Sequence, residues 1–171
     1  MAEPAAVERL QPSLLDRLID DEPDKRSEPR EARVLTKAGL RAAVLRDLAW
    51  LFNASSMDAD IDADRFPYVR TAVVNYGLPQ LSGGYASSVE PTRLEGLVRD
   101  AILRFEPRII PDSLEVEAVI DRSILDLHNQ IGLVIRGLLW AQPVPLEIML
   151  RTQLDLEDGA ITVVDAPRAS T

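Results

Sequence analysis

The stretch Pro91–Asp121, PTRLEGLVRDAILRFEPRIIPDSLEVEAVID, changes its periodicity half-way along, and that change decides the fold. In the first half Leu94, Leu97, Val98, Ala101, Ile102 and Phe105 recur at i, i+3, i+4, i+7, i+8 and i+11. This spacing collects apolar side chains on one face of an α-helix. Pro91 suits the first turn, where its missing N–H has no intrahelical partner to lose. Pro107 disfavours helical backbone at Glu106 and stops the helix. In the second half Leu114, Val116, Ala118 and Ile120 alternate with Glu115, Glu117, Val119 and Asp121, which predicts a strand with one wet face.

Towards the C-terminus the strand pattern continues. Ile131–Ala141 is apolar at most positions, as a central strand is. Leu146, Ile148, Leu150, Thr152, Leu154 and Leu156 alternate with Glu147, Met149, Arg151, Gln153 and Asp155. Asp158-Gly159 marks a turn, and Ile161–Val164 adds a short final strand. Pro143 and Pro145 restrict backbone pairing between the two long strands and define a loop there.

Towards the N-terminus the pattern is helical. Lys37–Asn53 places Leu40, Val44, Leu45, Leu48, Leu51 and Phe52 on one face, with Arg41 and Asp47 elsewhere and Trp50 read as core. Pro67–Asn75 reads as a short helix burying Tyr68, Val69, Ala72 and Val73, with Gly77 to end it and Pro79 just beyond. Helices followed by consecutive strands predict an α+β fold, with the N-terminal helices on one face of a small, mostly antiparallel sheet of three or four strands. Further upstream, Ser13 is a possible N-cap for an amphipathic stretch whose stripe is Leu14, Leu15, Leu18 and Ile19. This stretch docks either on its own domain or on a neighbouring subunit. In Asp20–Arg33 ten of fourteen residues are charged, and Pro23 and Pro29 further oppose regular structure, so it reads as a solvated linker. The expected organisation is an N-terminal segment and linker over 1–33, a domain over 34–165 and a flexible tail over 166–171.

Composition narrows the function. With 28 acidic against 19 basic side chains the formal net charge is -9, which disfavours nucleic acid as a partner. The absence of cysteine rules out disulfides and thiolate metal sites. Met1–Leu10 carries Glu3, Pro4 and Glu8 where a signal peptide has a basic start and an apolar run. The longest uncharged stretch, Thr71–Val89, is too polar and too broken by Gly and Pro to span a bilayer. A soluble cytoplasmic protein without direct membrane insertion is the expectation.

The residues that could carry chemistry are few. Glu106 and Arg108 project from the rigid bend at Pro107, and two readings stand side by side. One is a helix stop with a local ion pair, worth little if exposed; the other is an interface charge pair that sets the register of a neighbouring subunit. Glu106 as a glycosidase acid would need a raised pKa and a second carboxylate across a cleft, and no partner acid is evident. Asp58, Asp60, Asp62 and Asp64 lack the glycine and distant glutamate of an EF-hand loop and read as a solvated acidic loop. His128 has no second ligand nearby in the sequence, and Ser82-Gly83-Gly84 lacks the lysine of a phosphate loop. No catalytic, cofactor or metal site is expected. Asn75 and Gly77 read as structural, Tyr76 as a possible interface anchor, and Trp140 as a surface candidate.

Five phrases, in this order and spacing, carry a family resemblance: LRAAVLRDLAWLFN (Leu40–Asn53), VNYGLPQLSG (Val74–Gly83), ILRFEPRII (Ile102–Ile110), LWAQPVPL (Leu139–Leu146) and LRTQLDLEDG (Leu150–Gly159). Together with SLLDRL at Ser13–Leu18 they resemble the TssE family of type VI secretion, within the phage baseplate-wedge, lysozyme-like family. The similarity runs from about Ser13 to Val164. It implies a non-enzymatic wedge component beside TssF and TssG, in a cytoplasmic baseplate docked through TssK on the inner-membrane complex. It also implies a part in starting TssB–TssC sheath polymerisation around the Hcp tube. Glu106-Pro107-Arg108 matches the family's Glu-Pro-Arg motif residue for residue, which favours the interface reading; the same letters at Glu28-Pro29-Arg30 lie in the charged linker and are taken as chance. Alanine at 106 or 108 is then expected to spare the isolated fold and weaken assembly. The alternatives are a muramidase-type glycoside hydrolase and a generic adaptor or chaperone. The expected interface set is Glu106, Pro107, Arg108, Tyr76 and Trp140 with Leu14, Leu15 and Leu18.

Overall fold

A computed structural model describes residues 10, 12–19, 24, 35–58, 60–62, 64–80, 90–119 and 130–166. Among these residues, three α-helices precede four strands: α1 (Leu14–Leu18), α2 (Lys37–Asn53), α3 (Pro91–Phe105), β1 (Glu115–Val119), β2 (Gln130–Leu139), β3 (Leu146–Asp155) and β4 (Ile161–Asp165). The strands form one antiparallel sheet in the order β1-β2-β3-β4. The fold is α+β, as the change of period predicts.

Local chemistry sets the helix limits. The Thr36 side chain accepts from the Gly39 N–H and caps α2, which buries Leu40, Ala43, Val44, Leu48, Leu51 and Phe52. Pro91 opens α3, Glu106 caps its end, and Leu94, Val98, Ala101 and Ile102 are buried between. In the sheet, rows such as Val116, Ile135 and Leu150, or Ala118, Leu133, Thr152 and Val163, run across paired strands. Residues two apart along a strand share a face, so these rows and the buried helix stripes form one core. Ion pairing between Arg41 and Asp165 at 2.9 Å joins α2 to the end of β4.

Two sequence expectations fail. Trp50 is more exposed than buried, because it lies off the Leu48/Leu51 face, with the Arg46 guanidinium 5.0 Å from its ring centroid. Pro67–Asn75 is not an α-helix but two short 3-10 turns, Val69–Thr71 and Val73–Asn75, separated by extended backbone at Ala72. Tyr68 and Val73 therefore face solvent, and the buried residue of the segment is Asn75. Ile120, Asp121, His128, Ser82-Gly83-Gly84 and residues 167–171 lie outside the described residues, as does the linker apart from Asp24. Among the described residues, no helix is long and apolar enough to cross a membrane.

Candidate functional site

The corner after α3 is held from both sides. The Glu106 N–H donates to the Ile102 carbonyl at 2.8 Å, which ends the helix. Two residues later the Arg108 carbonyl accepts from the Trp140 N–H at 2.7 Å, and the Ile110 N–H donates to Leu138 O at 2.8 Å. Pro107 therefore turns the chain from the end of α3 onto the end of β2 within three residues.

The Glu106 side chain is 3% exposed. A carboxylate so placed is stable only when paired and hydrogen-bonded, and Arg108 supplies both. Arg108 Nε donates to Glu106 Oε1 at 2.6 Å, its backbone N–H donates to the same oxygen at 3.2 Å, and Nη2 reaches Oε2. Nη2 also donates to Asp47 Oδ2 from α2. Asp47 Oδ1 in turn accepts from Arg46 Nε at 2.9 Å, and Arg46 Nη1 donates to Asp16 of α1. Three carboxylates and two guanidiniums thus form one chain: Asp16, Arg46, Asp47, Arg108, Glu106. Tyr76 supports it, its hydroxyl donating to the Asp47 carbonyl at 3.2 Å and its ring meeting Phe105 edge-on at 5.4 Å.

Electrostatics follow this geometry. Burial by itself lowers the Arg108 pKa, but the hydrogen bond and charge of Glu106, joined by Asp47, outweigh it and the net shift is upward. Burial pushes the Tyr76 phenol up, with the Asp47 and Glu106 charges adding to it and Arg108 opposing.

The corner brings together Glu106, Pro107, Arg108 and Tyr76. Trp140, 62% exposed, joins them through its backbone. Leu14, Leu15 and Leu18 are reached only through Asp16, at the far end of the ion-pair chain. Asp47, Arg46 and Asp16 are members that sequence reading missed. The signal was the adjacent Arg46-Asp47 on the polar side of α2, whose partner at 108 is invisible without the fold. Two expectations change. Glu106 does have a neighbouring carboxylate, Asp47, yet Arg108 bonds to both, so no sugar-binding cleft separates the two acids. And since Glu106 is buried, Arg108→Ala strips a buried charge of its counter-ion and is expected to lower the stability of the isolated fold.

The remaining candidates have structural contacts. Asn75 accepts from the Met57 N–H at 3.0 Å and donates to Asp58 at 2.7 Å. Gly77 sits at φ +127°, where a Cβ would lie 2.3 Å from the Ala54 carbonyl oxygen. In the acidic loop Asp58 lies 3.6 Å from Arg104, and Asp62 accepts from the backbone of Asp64 and Arg65.

The family model described as baseplate wedge protein gp25 matches residues 38–144, well over half of the chain. This chain belongs to the baseplate wedge protein gp25 family. The match runs from the first turn of α2 to the loop after β2, so Asp47, Tyr76, the Glu-Pro-Arg corner and Trp140 of this wedge-family protein all lie inside it. Wedge-family membership supports a structural role in a phage-tail-like baseplate. Helix α1 and strands β3 and β4 lie outside the matched residues. No curated protein and no solved structure matches the chain.

Proposed function

We propose that this protein is the TssE-type subunit of a type VI secretion baseplate, a non-enzymatic wedge component bound beside TssF and TssG. In this reading the baseplate docks through TssK on the inner-membrane complex, on its cytoplasmic side, and the subunit helps start the TssB–TssC sheath around the Hcp tube. The observation that carries the proposal is the wedge-family match over residues 38–144. The ordered phrases that resemble TssE, two of which extend past residue 144, narrow it from baseplates in general to type VI secretion.

Two features of the fold support an assembly role. The corner spends its charges on holding Arg108 half-buried beside an exposed Trp140, which is how a rigid contact point is built. The β4 edge suits addition of a strand from the sheath. Tagging the full chain in cells that express the secretion system and identifying what co-purifies tests the proposal. TssF and TssG are the expected companions. Recovery of no baseplate protein would overturn it.

A further inference from the structure

Helix α1 is attached to the domain by its charged side. One carboxylate, Asp16, both folds the helix and anchors it. Its Oδ2 accepts from the Ser13 hydroxyl at 2.6 Å and closes a capping box, while its Oδ1 pairs with Arg46. A few residues upstream, Leu10 is buried in the core and its carbonyl accepts from the Leu35 N–H at 2.8 Å. At 3.6 residues per turn, Leu14 and Leu18 fall nearly opposite Asp16, and each is 73% exposed. Leu15 and Ile19 are exposed beside them. A five-residue helix is too short to persist unaided in water, so this one is held in shape while its apolar stripe is directed outward.

We infer that α1 is a presented docking helix whose Leu14, Leu15 and Leu18, with Ile19 just past its end, seat in an apolar groove, rimmed by lysine or arginine, on a different polypeptide of the assembly. Leu14 and Leu18, at i and i+4 with Leu15 between them, form one turn of a helix-in-groove face. Holding the helix in its bound shape beforehand removes part of the ordering cost of association. Charge selects the occupant. The chain carries a net -9, and α1 is followed in sequence by Asp20, Asp21 and Glu22. A second copy of so acidic a chain, or an anionic lipid surface, is repelled, whereas a basic rim is attracted.

The inference rests on the wedge reading, and the test separates the two. The full-length chain and its L14D/L18D variant are titrated against a purified TssF–TssG complex. Because both leucines are exposed, the variant keeps the wild-type melting curve, yet its binding falls roughly tenfold or more. Raising the ionic strength weakens wild-type binding. Equal binding by variant and wild type overturns the docking helix and leaves the wedge reading standing. Binding that is indifferent to salt overturns the basic rim. A dimer of the chain alone that L14D/L18D dissolves, or flotation with anionic vesicles, assigns the stripe to another occupant and overturns the inference. Failure of the wild-type chain to bind the complex removes the wedge reading and the inference with it.

Discussion

Arg108 is where acids from two distant parts of the chain converge: Glu106, two residues before it, and Asp47, sixty-one before it. The three groups are unequal. Without Glu106, Arg108 keeps Asp47 and, being half-buried, some water. Without the Arg108 side chain, the buried Glu106 keeps, among the described residues, one backbone N–H. Removing one member of a buried pair costs about 3–5 kcal/mol when the other is left uncompensated. Arg108→Ala is therefore expected to lower stability by about 3 kcal/mol, near the bottom of that range because water can enter the vacated space. Glu106→Gln, which keeps the shape, is expected to cost less. Urea denaturation of both variants checks the order, and a larger loss for Glu106→Gln would contradict it. The local half of this site was legible in sequence, since Glu106-Pro107-Arg108 sits at a visible helix stop. Asp47 was not, because its role depends on which face of α2 meets the end of α3, and no pattern within α2 states that.

Among the elements, α2, α3, β1 and β3 were legible because each has one buried face, which writes a period of 3.6 or 2 into the sequence, and β2 because it is apolar at most positions. Pro67–Asn75 carried a helix-like spacing, but its organising residue is a buried asparagine bonding to Met57 and Asp58, a polar tie that hydrophobic periodicity cannot register. Helix α1 was legible as amphipathic, yet the side it turns to the domain is the charged one. Its attachment is accordingly pH-sensitive. The hydrogen bond from Arg46 lowers the Asp16 pKa, with burial opposing it and the Ser13 bonds and the Arg46 charge assisting. A carboxylate with a depressed folded pKa contributes stability that is present above its unfolded value of about 3.9 and lost as pH falls through the lower folded value. Amide protection of α1 is therefore expected to hold through neutral and mildly acidic pH, to start weakening below the unfolded value of about 3.9 and to be lost once the pH has passed the lower folded value. Asp16→Asn should lack that protection at neutral pH. Hydrogen exchange followed against pH measures both, and protection that survives in Asp16→Asn would show that Leu10, not Asp16, holds the helix.

At the scale of the whole molecule, the two edges of the sheet are treated differently. An unpaired edge invites another strand, and proteins usually blunt it. On β1 the outward Ala118 N–H is taken by the Glu95 carboxylate of α3 at 2.8 Å. On β4 the two ends are held by α2: the Asn53 side chain accepts from the Ile161 N–H at 2.9 Å and donates to its carbonyl at 2.8 Å, and Arg41 pairs with the Asp165 carboxylate. The Asp155–Ala160 and Ala166–Met149 bonds set the register, so Ile161, Val163 and Asp165 direct their backbone groups away from β3. If a sheath strand is added here, Val163 donates to it. Val163→Pro deletes that donor while leaving the β3–β4 ladder its bonds, the one arrangement in which proline is tolerated in a strand. The variant is expected to fold, with a small loss from repacking Val163 against the core, and to enter the wedge through the corner and α1. Sheath polymerisation on that wedge should fail. Electron microscopy of sheaths in cells carrying Val163→Pro, beside recovery of TssF and TssG with the variant, separates the steps. Normal sheaths would mean that the outward backbone of β4 at Val163 has no part in starting them.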